Sequence, residues 1–348
     1  MTADLIAELL DGQHRALARV ITKIENREPG YRNLVSQLHE HTGHADVIGI
    51  TGSPGAGKST LVDKMAATYR EQGLTVGVIA IDPSSPFTGG AVLGDRIRMA
   101  SNVGDMDVFF RSMSARGSLG GLSTATTDAV KALDAFGKDK IIIETVGAGQ
   151  NEIDIVKMAD TVAVLVPPGS GDDVQMLKAG ILEIADLFVV NKADLDGADR
   201  TVQELREMIE YRDGGVPSMV GHHGASATGG GFERAEADTE DGDDWTPPIV
   251  ETVAKDDEGV DDVLAALADH RTHLETSGEL EEQEQMRYAE EIRTLLREDL
   301  SVLLEREIDR RGGLDDYVER VRNRETDPYA VSDEILDPIV DCLERQRD

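Results

Sequence analysis

Residues 52 to 60 read Gly52-Ser53-Pro54-Gly55-Ala56-Gly57-Lys58-Ser59-Thr60, directly after the apolar run Val47-Ile48-Gly49-Ile50. The pattern G-x-x-x-x-G-K-[ST] joins a buried strand to the start of a helix, and each residue type has a task there. The glycines let the backbone curl until several N–H groups point at one anion. Lys58 carries positive charge to the β- and γ-phosphates of a nucleoside triphosphate. The Ser59 hydroxyl is placed to ligate Mg2+, and a helix beginning near Lys58 adds its N-terminal dipole. The whole stretch from Gly52 to Thr60 is therefore read as nucleotide-binding.

From Val47 onward strand and helix signals alternate. Strands are predicted at 47–51, 75–82, 107–111, 140–145, 160–166, 186–191 and 248–253. Continuous apolar runs such as Ile141-Ile142-Ile143 and Val162 to Val166 predict strands buried on both faces. The fold class is α/β, a P-loop NTPase whose mostly parallel sheet carries helices on both faces. The phosphate loop then sits at the C-terminal edge of the sheet. Before it, Leu5, Leu9, Leu17, Val20, Ile21 and Ile24 recur at helical spacing over residues 4–26, and a further helix is predicted at 31–41. After Gly278 a helix of about 30 residues carries a narrow apolar stripe, the kind that packs on another helix of its own domain or of a second subunit. Gly312-Gly313 ends it. The expected organisation is an N-terminal helical extension (1–44), a nucleotide-binding domain (45–275) and a C-terminal helical arm (276–348). Residues 212–246, acidic, poor in apolar residues and containing Gly229-Gly230-Gly231, read as a surface insertion.

Charge narrows the partners. The chain of 348 residues has 35 basic and 68 acidic residues, a net charge of −33, which argues against a nucleic-acid strand as partner. Ten of the basic residues are lysines. An acidic, lysine-poor surface is expected of a halophile's protein working in multimolar salt, where the screening length is about 3 Å or less; an ordinary acidic cytosolic protein is the alternative. One cysteine, Cys342, leaves no intrachain disulfide and no cysteine-based zinc site. With no secretion signal and no apolar run approaching 18 residues, a cytoplasmic protein without membrane spans is expected.

The base follows from Asn191-Lys192-Ala193-Asp194, after the strand ending at Val190. A carboxylate at Asp194 accepts two hydrogen bonds from guanine, N1–H and the 2-amino group; adenine offers no such donor pair on that edge and would leave the carboxylate unpaired. Asn191 supports guanine's other edge or the loop itself, and the Lys192 stem lies along the base. Asp82 and Glu144 each end a strand on the edge that carries the phosphate loop, and both are candidate Mg2+ ligands with Ser59. Asp95, in the glycine-bearing segment 89–99, orients the attacking water or reaches the metal through water. Arg96 and Arg98 are either salt-bridged helix residues or charge stabilisers for phosphoryl transfer. Lys58, Asp95 and Glu144 are the catalytic candidates, and Gly147 is placed to let a backbone N–H approach the γ-phosphate.

Together these stretches resemble the methylmalonyl-CoA mutase-associated GTPases of the MeaB/ArgK type, relatives of the signal-recognition and nickel-insertion GTPases. The resemblance rests on Gly52–Thr60, Asp82-Pro83-Ser84-Ser85-Pro86 with Thr88 to Met99, and Arg111-Ser112-Met113 through Gly117 to Leu122. It continues in Glu144 to Glu152, Pro168-Gly169-Ser170-Gly171-Asp172-Asp173 and Asn191–Asp194. It implies a homodimeric, GTP/GDP-binding, Mg2+-dependent GTPase whose C-terminal arm dimerises. Such a GTPase binds an adenosylcobalamin-dependent acyl-CoA mutase, gates its cofactor loading and protects it from inactivation. By motif, Asp82, Asp95 and Glu144 are the metal and switch acids, Gln150 falls in the second switch, and Pro167 to Lys178 forms an additional switch answering to the mutase. Val253-Ala254-Lys255 occupies the last base-contacting loop, where relatives often have Ser-Ala, so Val253 departs from the pattern. Two other readings remain: a metal-insertion chaperone, hinted at by His222-His223, and a kinase linked to basic amino-acid transport.

Overall fold

The computed structural model describes residues 2–82, 104–114, 124–145, 154–169, 181–213 and 245–345. Three helices lead in, α1 (Thr2–Leu10), α2 (His14–Glu25) and α3 (Tyr31–His39). Seven strands follow among the described residues: β1 (Asp46–Gly52), β2 (Val76–Asp82), β3 (Val108–Ser114), β4 (Lys140–Thr145), β5 (Thr161–Val166), β6 (Leu187–Asn191) and β7 (Ile249–Thr252). Between and after them run α4 (Lys58–Glu71), α5 (Thr124–Ala135), α6 (Ile181–Ile184), α7 (Ala198–Asp213) and α8 (Val260–Ser277).

All strand pairs are parallel, in the order β3-β2-β4-β1-β5-β6-β7. Each strand lies within a few residues of the range predicted for it. Side chains alternate between two cores, as the pleat requires. Ile141, Ile143, Val162, Val164 and Val166 face one; Ile48, Ile50, Ile142, Ala163 and Leu165 face the other. The first core is closed by α5, α7 and the three N-terminal helices, whose Leu9, Leu17, Ile21, Ile24 and Leu38 are fully buried in it. The second is closed by α4 and α8. Each such fully buried aliphatic side chain contributes about 2 kcal/mol, so α1 to α3 are part of what holds the sheet together.

The N-terminal edge of the sheet is sealed by paired charge. Asp160, just before β5, accepts from the Val47 amide (3.0 Å), Arg271 on α8 (3.0 Å) and Arg287 (2.7 Å). Asp46 pairs with Lys140 (2.7 Å) across β1 and β4. The Thr161 hydroxyl meets His270 Nδ1 at 2.8 Å, and Trp245 Nε1 donates to the Asp186 carbonyl at 2.8 Å. Asp134, near the end of α5, accepts from the Gly43, His44 and Ala45 amides and fixes the chain as it enters β1.

The chain divides into two compact units, Met1–Arg287 and Tyr288–Asp348. Helix α9 (Glu279–Arg310) runs through the boundary and ends at Gly312-Gly313, both at positive φ. None of its residues is buried, and Ile292, Leu296, Leu300 and Leu303 lie exposed at the spacing of one helical face. In the second unit α10 (Asp315–Arg322) and α11 (Pro328–Arg345) follow, joined by the Arg320–Glu334 ion pair, with Val331 and Ile335 buried.

Candidate nucleotide site

The phosphate loop leaves the C-terminal end of β1 between β4 and β5. Gly52 stands in register with Leu165 at φ +129°, and a Cβ there would lie 2.1 Å from the Leu165 carbonyl oxygen. Gly57, at φ +96°, is the N-cap of α4; a Cβ on it would lie 2.3 Å from Asn191 Nδ2. Both positions admit only glycine, because φ is positive and a residue of a neighbouring strand, Leu165 of β5 or Asn191 of β6, fills the space a side chain would need. Lys58 is buried. Its ammonium donates to the Gly52 carbonyl (2.6 Å) and the Ser53 carbonyl (2.9 Å), which places the cation over the loop that the motif assigns to phosphate.

One residue further on, the Ser59 hydroxyl donates to the carboxylate of Glu144. Glu144 is buried near the end of β4, in register with Ile50 of β1. Beside it the Thr145 hydroxyl donates to the Thr51 hydroxyl at 2.8 Å, linking the two strands where they hand over to loops. Ser59 and Glu144, far apart in sequence, thus form one oxygen cluster, a donor set of the kind a hard divalent cation takes. Asp82 ends β2, one residue beyond Ile81, which pairs with Thr145. Asp95, Arg96, Arg98, Gly147 and Gln150 lie outside the described residues, as do the insertion's histidines His222 and His223. Among the described residues no group of three or more His, Cys, Asp or Glu side chains is arranged to hold a metal ion, and no helix is long and apolar enough to cross a membrane.

The base-loop residues meet the phosphate loop from the next strands. Asn191, buried at the end of β6, donates from Nδ2 to the Ala56 carbonyl (2.7 Å). Its Oδ1 accepts from the Thr252 hydroxyl and the Ala254 amide, both at 3.1 Å. With two bonds the Oδ1 is filled, so the Asn191 side chain works as a strut between the phosphate loop and the turn after β7. Lys192 adopts φ +64° and reaches the Gly55 carbonyl at 2.7 Å. Asp194 pairs with Lys255 at 2.7 Å. That hydrogen bond holds the Asp194 carboxyl below, and the Lys255 ammonium above, its ordinary value. These groups wall a cavity of about 220 Å³ between Gly57 and Thr60, Asp194 and Leu195, and Val253 to Lys255. Leu195, Thr252 and the Thr51–Thr145 pair escape the sequence reading. Leu195 alone carries a local signal, a large apolar residue, half exposed, directly after the base motif.

Residues 17–308 match the family described as "Methylmalonyl Co-A mutase-associated GTPase MeaB". A putative GTPase of Pyrococcus abyssi is 46% identical over 340 residues, covering 98% of this chain and 97% of the relative. GTPase ArgK of Escherichia coli is 33% identical over 302 residues, 86% of this chain and 84% of its own. A solved structure, that of a LAO/AO transport system kinase, superposes with a TM-score of 0.67 at 26% identity, covering 97% of both chains. A match of that extent, on a sheet edge that gathers the motif residues described above, places the chain in the MeaB/ArgK family of P-loop GTPases, and its activity is the hydrolysis of GTP.

Proposed function

We propose that the chain is a Mg2+-dependent GTP switch that attends an adenosylcobalamin-dependent acyl-CoA mutase of the methylmalonyl-CoA type, gating cofactor loading and protecting the mutase. The family match over residues 17–308 carries this reading, since the family's name joins the GTPase to that mutase. At the site, Lys58 exchanges its two loop carbonyls for the β- and γ-phosphate oxygens, and the amides of Gly55 to Ser59 cradle the rest. Ser59, Glu144 and Asp82 hold Mg2+, with Asp95 as the further acid; when bound, the cation neutralises charge developing on the phosphates. Asp194 reads guanine, and the strut at Asn191 keeps the base loop in register with the phosphate loop. Residues 276–348 serve as the dimerisation arm, a role the exposed stripe on α9 supports. The working protein is a cytoplasmic homodimer, and its acidic surface suits it to multimolar salt.

The test is capture from native extract at its own salt, with the tagged chain held in GDP or in a non-hydrolysable GTP analogue. Recovery of a mutase, with a cobalamin content that differs between the two nucleotide states, is the expected result. Captures that contain no mutase in either state would sink the partner. The structural relative described as a transport-system kinase gives one competing reading, transfer of phosphate to a protein. Label from γ-labelled GTP is expected in inorganic phosphate alone; label in a protein acceptor would favour the kinase.

A further inference from the structure

We propose that Lys255 is the positioning residue for guanine selection, its ammonium holding the Asp194 carboxylate in the plane that accepts both guanine donors. The proposal rests on the reading of Asp194 as the base-contacting acid.

Both partners have backbones fixed by hydrogen bonds and side-chain ends that reach solvent. Asp194 follows Lys192, which is locked at positive φ, and the Ala193 amide is tied to the Thr252 carbonyl (3.0 Å). Lys255 lies in the short 3-10 turn Ala254–Asp256. That turn is fastened by the Ala254 amide on Asn191 and by the Val253 amide on the Glu258 carbonyl (3.0 Å). Asn191 and Thr252 pair in register, so the two loops are set side by side at the ends of β6 and β7.

The carboxylate itself is 36% exposed and needs a partner to keep one rotamer. Val253, on the same cavity wall, carries no polar atom that could supply one. Lys255 does, at 2.7 Å through Oδ2, a direct contact with no room for a salt ion between the two groups. A carboxylate oxygen has more than one lone pair. The ammonium therefore stays on the outer side of Oδ2 while guanine N1–H and the 2-amino group take the inner positions. Without it, the carboxylate rotates among rotamers, few of which meet both donors at once. The second guanine bond, the one to the 2-amino group, is lost first.

Inosine diphosphate lacks that amino group and reports the loss. The affinities of the full chain for GDP and for inosine diphosphate are measured by competition, at one fixed KCl concentration, for the native chain and for Lys255→Met, Lys255→Arg and Asp194→Asn. In Lys255→Met, GDP is expected to weaken by about tenfold and inosine diphosphate by about twofold or less, a selective loss of one hydrogen bond. Lys255→Arg, which keeps the charge, restores the ratio. Equal weakening of both nucleotides in Lys255→Met would overturn the proposal, since loss of base cover or of loop stability lowers both alike; so would an unchanged ratio. Asp194→Asn separates the two levels: an unchanged preference there removes Asp194 from base reading altogether, whereas a collapsed preference beside an indifferent Lys255→Met removes Lys255 alone.

Discussion

Asp160 and Asp194 are both aspartates at the ends of strands in one parallel sheet, yet their surroundings differ. At the N-terminal edge Asp160 is buried and receives a backbone amide and two arginines, with each of its oxygens used. At the C-terminal edge Asp194 pairs with one exposed lysine, Lys255, on the wall of an open cavity. The same division runs through their neighbours. Asp46, Lys140, Thr161 and His270 are paired with one another and closed in by α8, whereas Lys58 and Lys192 rest on loop carbonyls that a ligand can replace. One edge spends its charge on holding the fold; the other keeps its charge in arrangements that a nucleotide can take over. The kind of partner decides between them: a buried ion pair cannot exchange partners without leaving a charge unpaired, whereas Lys58, equally buried, rests on neutral carbonyls that phosphate oxygens can replace.

Substitutions at the two edges should therefore have separable effects. The largest is expected at Lys58. Lys58→Ala removes the one buried cation over the phosphate loop among the described residues, and GTP affinity should fall about a thousandfold, about 4 kcal/mol, with little change in the unfolding midpoint. Nucleotide titration beside thermal unfolding measures both; native affinity in the variant would take Lys58 out of the site. Next comes Asp160→Ala, which takes the shared carboxylate from Arg271 and Arg287, leaving them Glu275 and the Ala159 carbonyl, and should destabilise the fold by about 3 kcal/mol. About 17 Å of strand separates Asp160 from the nucleotide edge, so the GTP affinity of the folded variant should stay within about twofold. A large affinity loss without unfolding would erase the division between the edges.

The smallest effect belongs to Lys138, at the N-terminal edge. Burial pushes its ammonium down from the usual 10.5 to about 8. Between pH 8 and 10 the unfolded chain thus binds more protons than the folded one, and stability should rise with pH, by on the order of 1 kcal/mol. Above pH 10 the buried Tyr69 phenol, pushed up by burial and by the nearby Asp46, opposes the trend, because the unfolded chain loses that proton first. Urea midpoints across this range should climb in the native chain and flatten in Lys138→Met; a falling midpoint would show that Lys138 stays charged in the fold.

What the sequence reveals follows from the range of each interaction. Strands such as Val162 to Val166 are legible because burial on both faces leaves an unbroken apolar run, and Gly52–Thr60 is legible because all its parts are local. The Ser59–Glu144 bond is half legible. Each residue is marked by its motif, but their meeting depends on β1 and β4 being neighbours in register. The role of Asn191 is half legible too, since its motif allows support of the loop but does not say which segments it joins; the Lys255–Asp194 pair and the Asp160 cluster are not legible at all. Each joins segments more than 60 residues apart, and lone aspartates and lysines carry no local mark of their partners. The N-terminal helices show the limit from the other side. Their periodicity gives their existence and apolar face, and nothing in it says that the face fills the sheet's own core.

Gly52 has a mechanical consequence. Its α-carbon sits against the Leu165 carbonyl with no room for a methyl group, one residue before β5 ends at Val166 and runs into Pro167-Pro168-Gly169. No compressible layer separates the root of the phosphate loop from the root of that second loop. The two share a wall as two levers share a fulcrum. Any approach of the end of β5 toward Gly52 would therefore meet the backbone at the root of the phosphate loop directly.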